Sequence, residues 1–377
     1  MTTKLIPLAI AMLFAANANA QQVVKIGHVG PVSGPNAHLG KDNENAARMA
    51  IDELNAKGFT INGQKVTLQL VAEDDGSDPK QGTAVAQKLV DAKVKGVIGH
   101  LNSGTTVPAS KIYNDAGIPQ ISPATTATQY TKQRFPGAFR VVANDAKLGG
   151  TLGKYAVDTL KVKNIAVIDD RTTYGQGVAS EFLKGAKGPG VRIVGKEFTS
   201  ATATDYTAIL TSIRAKKPDL VFFGGMDSVG GPMLKQMKAL GIEARFMGGD
   251  GICTESLGRL AGDAVGEGKV VCAEAGGVTG AEQEKAMSDF RARFKQKTGL
   301  EVQLYAPYVY DAVMVMAAAM QKANSAEPAK YLPELKKIHY KGVTGQIAFD
   351  ANGDINNGAL TLYTFKGGKR SKMDVIR

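Results

Sequence analysis

The chain has 377 residues, 44% of them hydrophobic and 21% charged, with two Cys, four His and no Trp. At roughly 150 residues per domain it divides into two domains or three; the composition excludes a disordered chain, a disulfide-dense scaffold and a Cys/His metal cluster. The net charge of +11 raises nucleic acid as a partner, but the basic residues are scattered, in pairs such as Lys93/Lys95 and Lys216/Lys217 that read as solvated helix faces. With no aromatic-interleaved basic stretch, no nucleic-acid partner is expected.

The N-terminus sets the compartment. Lys4 is followed by an apolar run from Leu5 to Ala16 and then by Ala18-Asn19-Ala20, an A-x-A cleavage pattern. The run is too short for a bilayer core of about 30 Å, so residues 1–20 read as a signal peptide cleaved after Ala20. No Cys follows the cleavage site, so no lipid anchor is expected. The later apolar stretch Ala312 to Met320 reads as a buried helix, and the mature chain should not insert into a membrane. In the oxidising periplasm Cys253 and Cys272 can pair. Closing a loop of that length contributes about 3 kcal/mol on the chain-entropy argument.

From Val23 onward, β-rich runs alternate with amphipathic stretches. Strands are predicted at 23–29, 66–74, 96–100, 164–170, 191–198, 220–225 and 268–273. Helices are predicted at 40–56, 79–93, 105–116, 146–160, 175–187, 205–215, 229–240, 281–298 and 308–322. Such alternation with apolar, β-branched strands predicts an α/β fold: parallel sheets covered by helices on both faces. The pattern runs once over roughly 23–122 and again from Asn164, with a crossing near 139–144. The expectation is two doubly wound, Rossmann-like lobes with a ligand cleft between them. Lobe 1 takes 21–143 plus about 274–350; lobe 2 takes 144–273 plus about 351–377.

Enzyme signatures are missing. The Gly-rich stretch 27–34 lacks G-x-G-x-x-G spacing, and the chain has neither a P-loop nor a G-x-S-x-G elbow. His28, His38, His100 and His339 show no ligand spacing, so no metal, cofactor or catalytic residue is expected. What stands out is a set of polar turns after strands. Residues 99–106 (GHLNSGTT) and 121–128 (ISPATTAT) carry hydroxyls and helix-start amides suited to a carboxylate, though Ser or Thr capping would use the same residues. Residues 246–251 (FMGGDG) place Asp250 in a turn of the second half. Anion donors on one lobe and an acid on the other suit a zwitterion.

On KIGHVGPVSGPNAHLGKD (25–42), AEDDGSDPKQGTAVAQKLV (72–90), VIGHLNSGTTVPASKIY (97–113), ISPATTAT, DRTTYGQG (170–177) and FMGGDG, the chain resembles the periplasmic branched-chain amino acid (Leu/Ile/Val)-binding proteins of ABC transporters, a type I periplasmic binding protein family. The resemblance implies a monomer that traps an amino acid between its lobes and delivers it to an inner-membrane ABC permease. By position it implies that Ser103 and Thr126 hold the ligand carboxylate, the Ala124 carbonyl and Asp250 hold the ammonium, and Tyr174 lines the cleft. Leu39, Leu101, Asn102 and Tyr305 are the implied side-chain pocket. This chain departs from the pattern at Met226-Asp227 and Leu39, where relatives carry aromatics; Asp227 adds a second candidate acid. Ser77 and Asn102 stand where the family places a disulfide. Two other readings are a soluble ligand-sensing co-receptor for a related amino acid or amide, and a secreted hydrolase.

Overall fold

The computed structural model describes residues 22–377. The predicted signal peptide and its cleavage site lie outside the described residues. Six strands form the first sheet: β1 (Gln22–Gly30), β2 (Thr60–Ile61), β3 (Gln64–Asp74), β4 (Val97–Gly99), β5 (Gln120–Ser122) and β6 (Ala138–Arg140), in the order β2-β3-β1-β4-β5-β6. Pairing is parallel from β3 through β6, and only the short β2 runs antiparallel. The strands read as apolar runs because helices cover both faces: Val24, Ile26, Val97, Ile98 and Ile121 are all buried.

The second sheet contains β7 (Asn164–Asp169), β8 (Arg192–Phe198), β9 (Leu220–Gly224), β10 (Arg245–Gly248) and β11 (Val270–Glu274). A small separate hairpin follows, β12 (Tyr340–Gly342) with β13 (Gly345–Ile347), before β14 (Leu360–Lys366) and β15 (Lys369–Ile376) complete that sheet in the order β15-β14-β11-β10-β9-β7-β8. β7 to β11 pair in parallel as expected, and two further strands that the sequence pattern did not mark extend the sheet. β14 runs antiparallel to β11, and β15 antiparallel to β14. The second reversal is local: Gly367 and Gly368 adopt φ of 56° and 76° and close a two-residue hairpin, a turn that favours Gly.

Six of the nine predicted helices begin one to three residues early, while the one predicted at 205–215 begins two residues late, at Thr207. The helix predicted at 175–187 is Thr173–Gly185, because the Thr172 hydroxyl accepts the Gly175 amide and caps it. The helix Ala281–Thr298 has its predicted bounds. The chain crosses between the sheets three times, after β6, after β11 and after β13. The crossings are stitched together: the Ala143 amide donates to the Ala275 carbonyl (2.8 Å) and the Arg140 amide to the Gly353 carbonyl (2.9 Å). Arg140 itself is fully buried. Its guanidinium donates to the carbonyls of Thr125 (2.7 Å) and Ala127 (2.9 Å), while Nε lies 2.5 Å from Asp354 in the third crossing. Among the described residues no helix is long and apolar enough to cross a membrane.

Cys253 and Cys272 form a disulfide that ties the turn after β10 to β11. Replacing both with alanine is expected to lower stability by about 3 kcal/mol. Urea unfolding checks this, and a loss below 1 kcal/mol would contradict the disulfide's stapling role.

Candidate functional site

Ligands of open parallel sheets collect beyond the carboxyl ends of the strands, where backbone turns into helix starts. The two sheets direct these ends toward one another. Eight residues converge on a small cleft: Leu101, Asn102, Ser103 and Ala124 from the first sheet's turns, Tyr174, Met226 and Asp250 from the second's, and Tyr305 before the helix Ala306–Lys322. All eight were legible as candidates in the sequence.

On the first sheet's side, Ser103 is the first residue of the helix Ser103–Asp115, so its amide and that of Gly104 have no intrahelical acceptor. Ser103 is buried, and its hydroxyl accepts the Ala127 amide at 3.3 Å. The 122–127 turn is held rigid by the Ser122 hydroxyl, which accepts from the Thr125 amide (3.0 Å), and by Arg140 from below. This wall presents donors to the cavity.

The opposite wall is acidic. Asp250 is fully buried in a 3-10 turn after β10; its two oxygens accept from the hydroxyls of Tyr174 and Tyr305, each at 2.8 Å. Tyr174 in turn accepts the Gly251 amide at 2.9 Å. Gly251 is required here, since a Cβ would lie 2.7 Å from the Tyr174 ring. Burial pushes the Asp250 carboxyl up to about 6, against the pull of the two phenolic hydrogen bonds.

Asp145, the first residue of the helix Asp145–Asp158, is a site candidate the sequence reading missed. It is buried, and neither carboxylate oxygen has a hydrogen-bond partner of normal geometry among the described residues. Burial pushes it up to about 7; the neighbouring Thr126 hydroxyl lowers it and the charge of Asp250 raises it further. An uncompensated buried carboxylate is costly, so Asp145 holds its proton to near-neutral pH instead.

Three candidates do not line the cavity. Leu39 is buried in the core beneath it, and Thr126 lies fully buried beside Asp145, its hydroxyl unpaired. Asp227 starts the helix Asp227–Ala239 and points away from the cavity wall. Its Oδ2 accepts from His38 Nε2 (2.8 Å) and from the Thr254 hydroxyl (2.5 Å). Asp227 thus bridges the two halves: its partner His38 opens the helix that packs on the first sheet.

The sequence matches the periplasmic binding protein family over residues 23–370. It is 36% identical over 378 residues to a Leu/Ile/Val-binding protein homolog of Brucella abortus, covering 99% of this chain and 98% of that one. It is 34% identical to a leucine-, isoleucine-, valine-, threonine- and alanine-binding protein of Pseudomonas aeruginosa, covering 93% of this chain and 92% of that protein. In structure it is similar to a branched-chain amino acid transporter substrate-binding protein of Streptococcus pneumoniae solved with isoleucine. That likeness has a TM-score of 0.85 at 28% identity and covers 94% of this chain and 99% of the other. With two α/β lobes around a cleft and a match along nearly its whole length, the chain belongs to the periplasmic binding protein family.

Proposed function

We propose that this protein captures branched-chain L-amino acids in the periplasm by hinge closure and delivers them to an ABC permease. The observation that carries the reading is the pairing of walls in one cavity: helix-start amides and the Ser103 hydroxyl on one side, buried Asp250 with its two tyrosine partners on the other. A zwitterion satisfies both, its carboxylate taking the donors and its ammonium the acid. Leu101, Met226 and Ala124 supply apolar wall for a side chain. Burying an aliphatic side chain contributes roughly 1.5–3 kcal/mol and one methylene about 0.8, so overlapping affinities for Leu, Ile and Val are expected.

In this reading residues 21–143 with about 274–350 form one rigid body, and 144–273 with about 351–377 the other, hinged at the three crossings. Ligand favours the closed form because both bodies contact it. The ligand leaves chemically unchanged, and export ends with cleavage after Ala20, which the mass of the periplasmic protein would test. The deciding experiment is thermal unfolding of ligand-stripped protein against the twenty amino acids. A ligand at 100 times its Kd adds about 2.7 kcal/mol. Stabilisation by Leu, Ile or Val supports the reading; stabilisation by none of them refutes it.

The raised carboxyls give this binding a pH dependence. An ammonium beside Asp250 needs that acid ionised, so its proton, held at about 6, must leave first, and Asp145, with its proton held at about 7, adds to the field through its charge. Calorimetric affinity is expected to be level above pH 8 and at least tenfold weaker at pH 5. A Kd constant from pH 8 to 5 would refute the role of both acids. The ligand-free fold has the opposite sign. A carboxyl whose folded pKa lies above its ordinary 3.8 binds its proton more tightly when folded. Its contribution is fully present below 3.8 and lost as pH rises through 6 and 7.

A further inference from the structure

Asn102 stands immediately before the helix Ser103–Asp115 and lines the cavity. Asn is among the strongest helix-capping residues because its side-chain oxygen accepts a first-turn amide. Here the side chain makes no such bond; the Thr105 and Thr106 hydroxyls bond to its backbone carbonyl instead. The oxygen is engaged elsewhere. Asn102 Oδ1 accepts from Ser77 Oγ (2.9 Å), Ser77 Oγ accepts from Asn36 Nδ2 (3.1 Å), and Asn36 Oδ1 accepts from Ser228 Oγ (3.2 Å). Every donor in this relay meets an acceptor. It leaves the Asn102 amide nitrogen as the side chain's free polar group, without a hydrogen-bond partner among the described residues.

We propose that Asn102 is a specificity-determining residue whose amide NH2 donates to the ligand's side chain, so that the site takes small L-amino acids bearing an acceptor oxygen, a hydroxyl or an amide, as well as aliphatic ones. The proposal rests on the amino-acid reading above and refines it. Position sets the reach: Asn102 adjoins Ser103, the residue assigned to the α-carboxylate, so its amide meets the first atoms of the side chain. A purely aliphatic ligand leaves that donor unpaired when the cleft closes, whereas an acceptor satisfies it. Sites built to hydrogen-bond a substrate group discriminate against analogues lacking it more sharply than apolar pockets sort by size.

Two near-isosteric pairs, valine with threonine and leucine with asparagine, separate this from burial alone. Calorimetric titration of the mature protein and of Asn102→Leu is expected to show the variant shifting at least one pair's ratio of Kd values tenfold or more toward the aliphatic member. Ser77→Ala, which frees Oδ1 and lets the amide turn, is expected to shift the ratio less and with the same sign, and it serves as the test if Asn102→Leu does not fold. Ratios unchanged within threefold in the folded variant overturn the proposal while leaving the amino-acid reading standing. If the folded wild-type protein binds none of the four, the amino-acid reading falls and this proposal with it.

Discussion

Replacing Asp250 with alanine is expected to weaken amino-acid binding by at least a hundredfold in a calorimetric titration. The residue is fully buried, and both oxygens are held by phenolic hydroxyls, Tyr174 from one sheet's turns and Tyr305 from beside the other's. An ammonium brought into this cavity loses its water and depends on the carboxylate. Removing one partner of a buried charge pair costs about 3–5 kcal/mol, because the other charge stays buried and uncompensated. At 1.4 kcal/mol per decade that is roughly two to three and a half orders of magnitude in Kd. The loss should exceed that of Tyr305→Phe, which removes one hydrogen bond and leaves the charge. An Asp250→Ala protein binding within threefold of wild type would remove this carboxylate from the ligand contact.

The second large effect is on folding. Arg140→Met is expected to lower stability by about 3–5 kcal/mol in urea unfolding. The methionine fills much of the volume but leaves the Thr125 and Ala127 carbonyls without their guanidinium donor and Asp354 without its counter-charge. Asp354 keeps the hydroxyl of Thr131 (3.0 Å) and the amide of Asn144 (3.1 Å), and its partial exposure admits water, so the carbonyls bear most of the loss. The same substitution frees the 122–127 turn that shapes the cavity's donor wall, so weaker ligand binding should accompany it. A change below 1 kcal/mol would show that the turn and the crossing hold without the arginine.

Legibility in the sequence followed the range of the interaction. The helix Ala281–Thr298 was readable at both ends, between Gly280 and Gly299, because a charged periodic stretch bounded by glycines is a local signal. The C-terminal hairpin was not. β15 (KRSKMDVI) is an edge strand with no buried residue, and a polar edge strand resembles a tail until its partner is known. The cavity residues were legible because they sit in polar turns directly after apolar strands. Asp145 escaped notice since an acid in a helix's first turn is ordinary capping chemistry, and only burial distinguishes it. Asp227 shows the limit from the other side: its chemistry is decided by His38, 189 positions away in sequence.

The threefold crossing has a bearing on how the chain reaches its folded form. The second sheet's β11 edge is completed by β14, whose Thr364 pairs with Val271, so that sheet stays open until nearly the last residue has been made. The first sheet's helices wait likewise on the helix Ala306–Lys322, which packs on the helix Ala37–Ala56. Neither half can finish from a growing N-terminal fragment, and long-range pairings of this kind form late and slowly. In a chain of this design the rigid cleft is complete only after the C-terminal strands have paired.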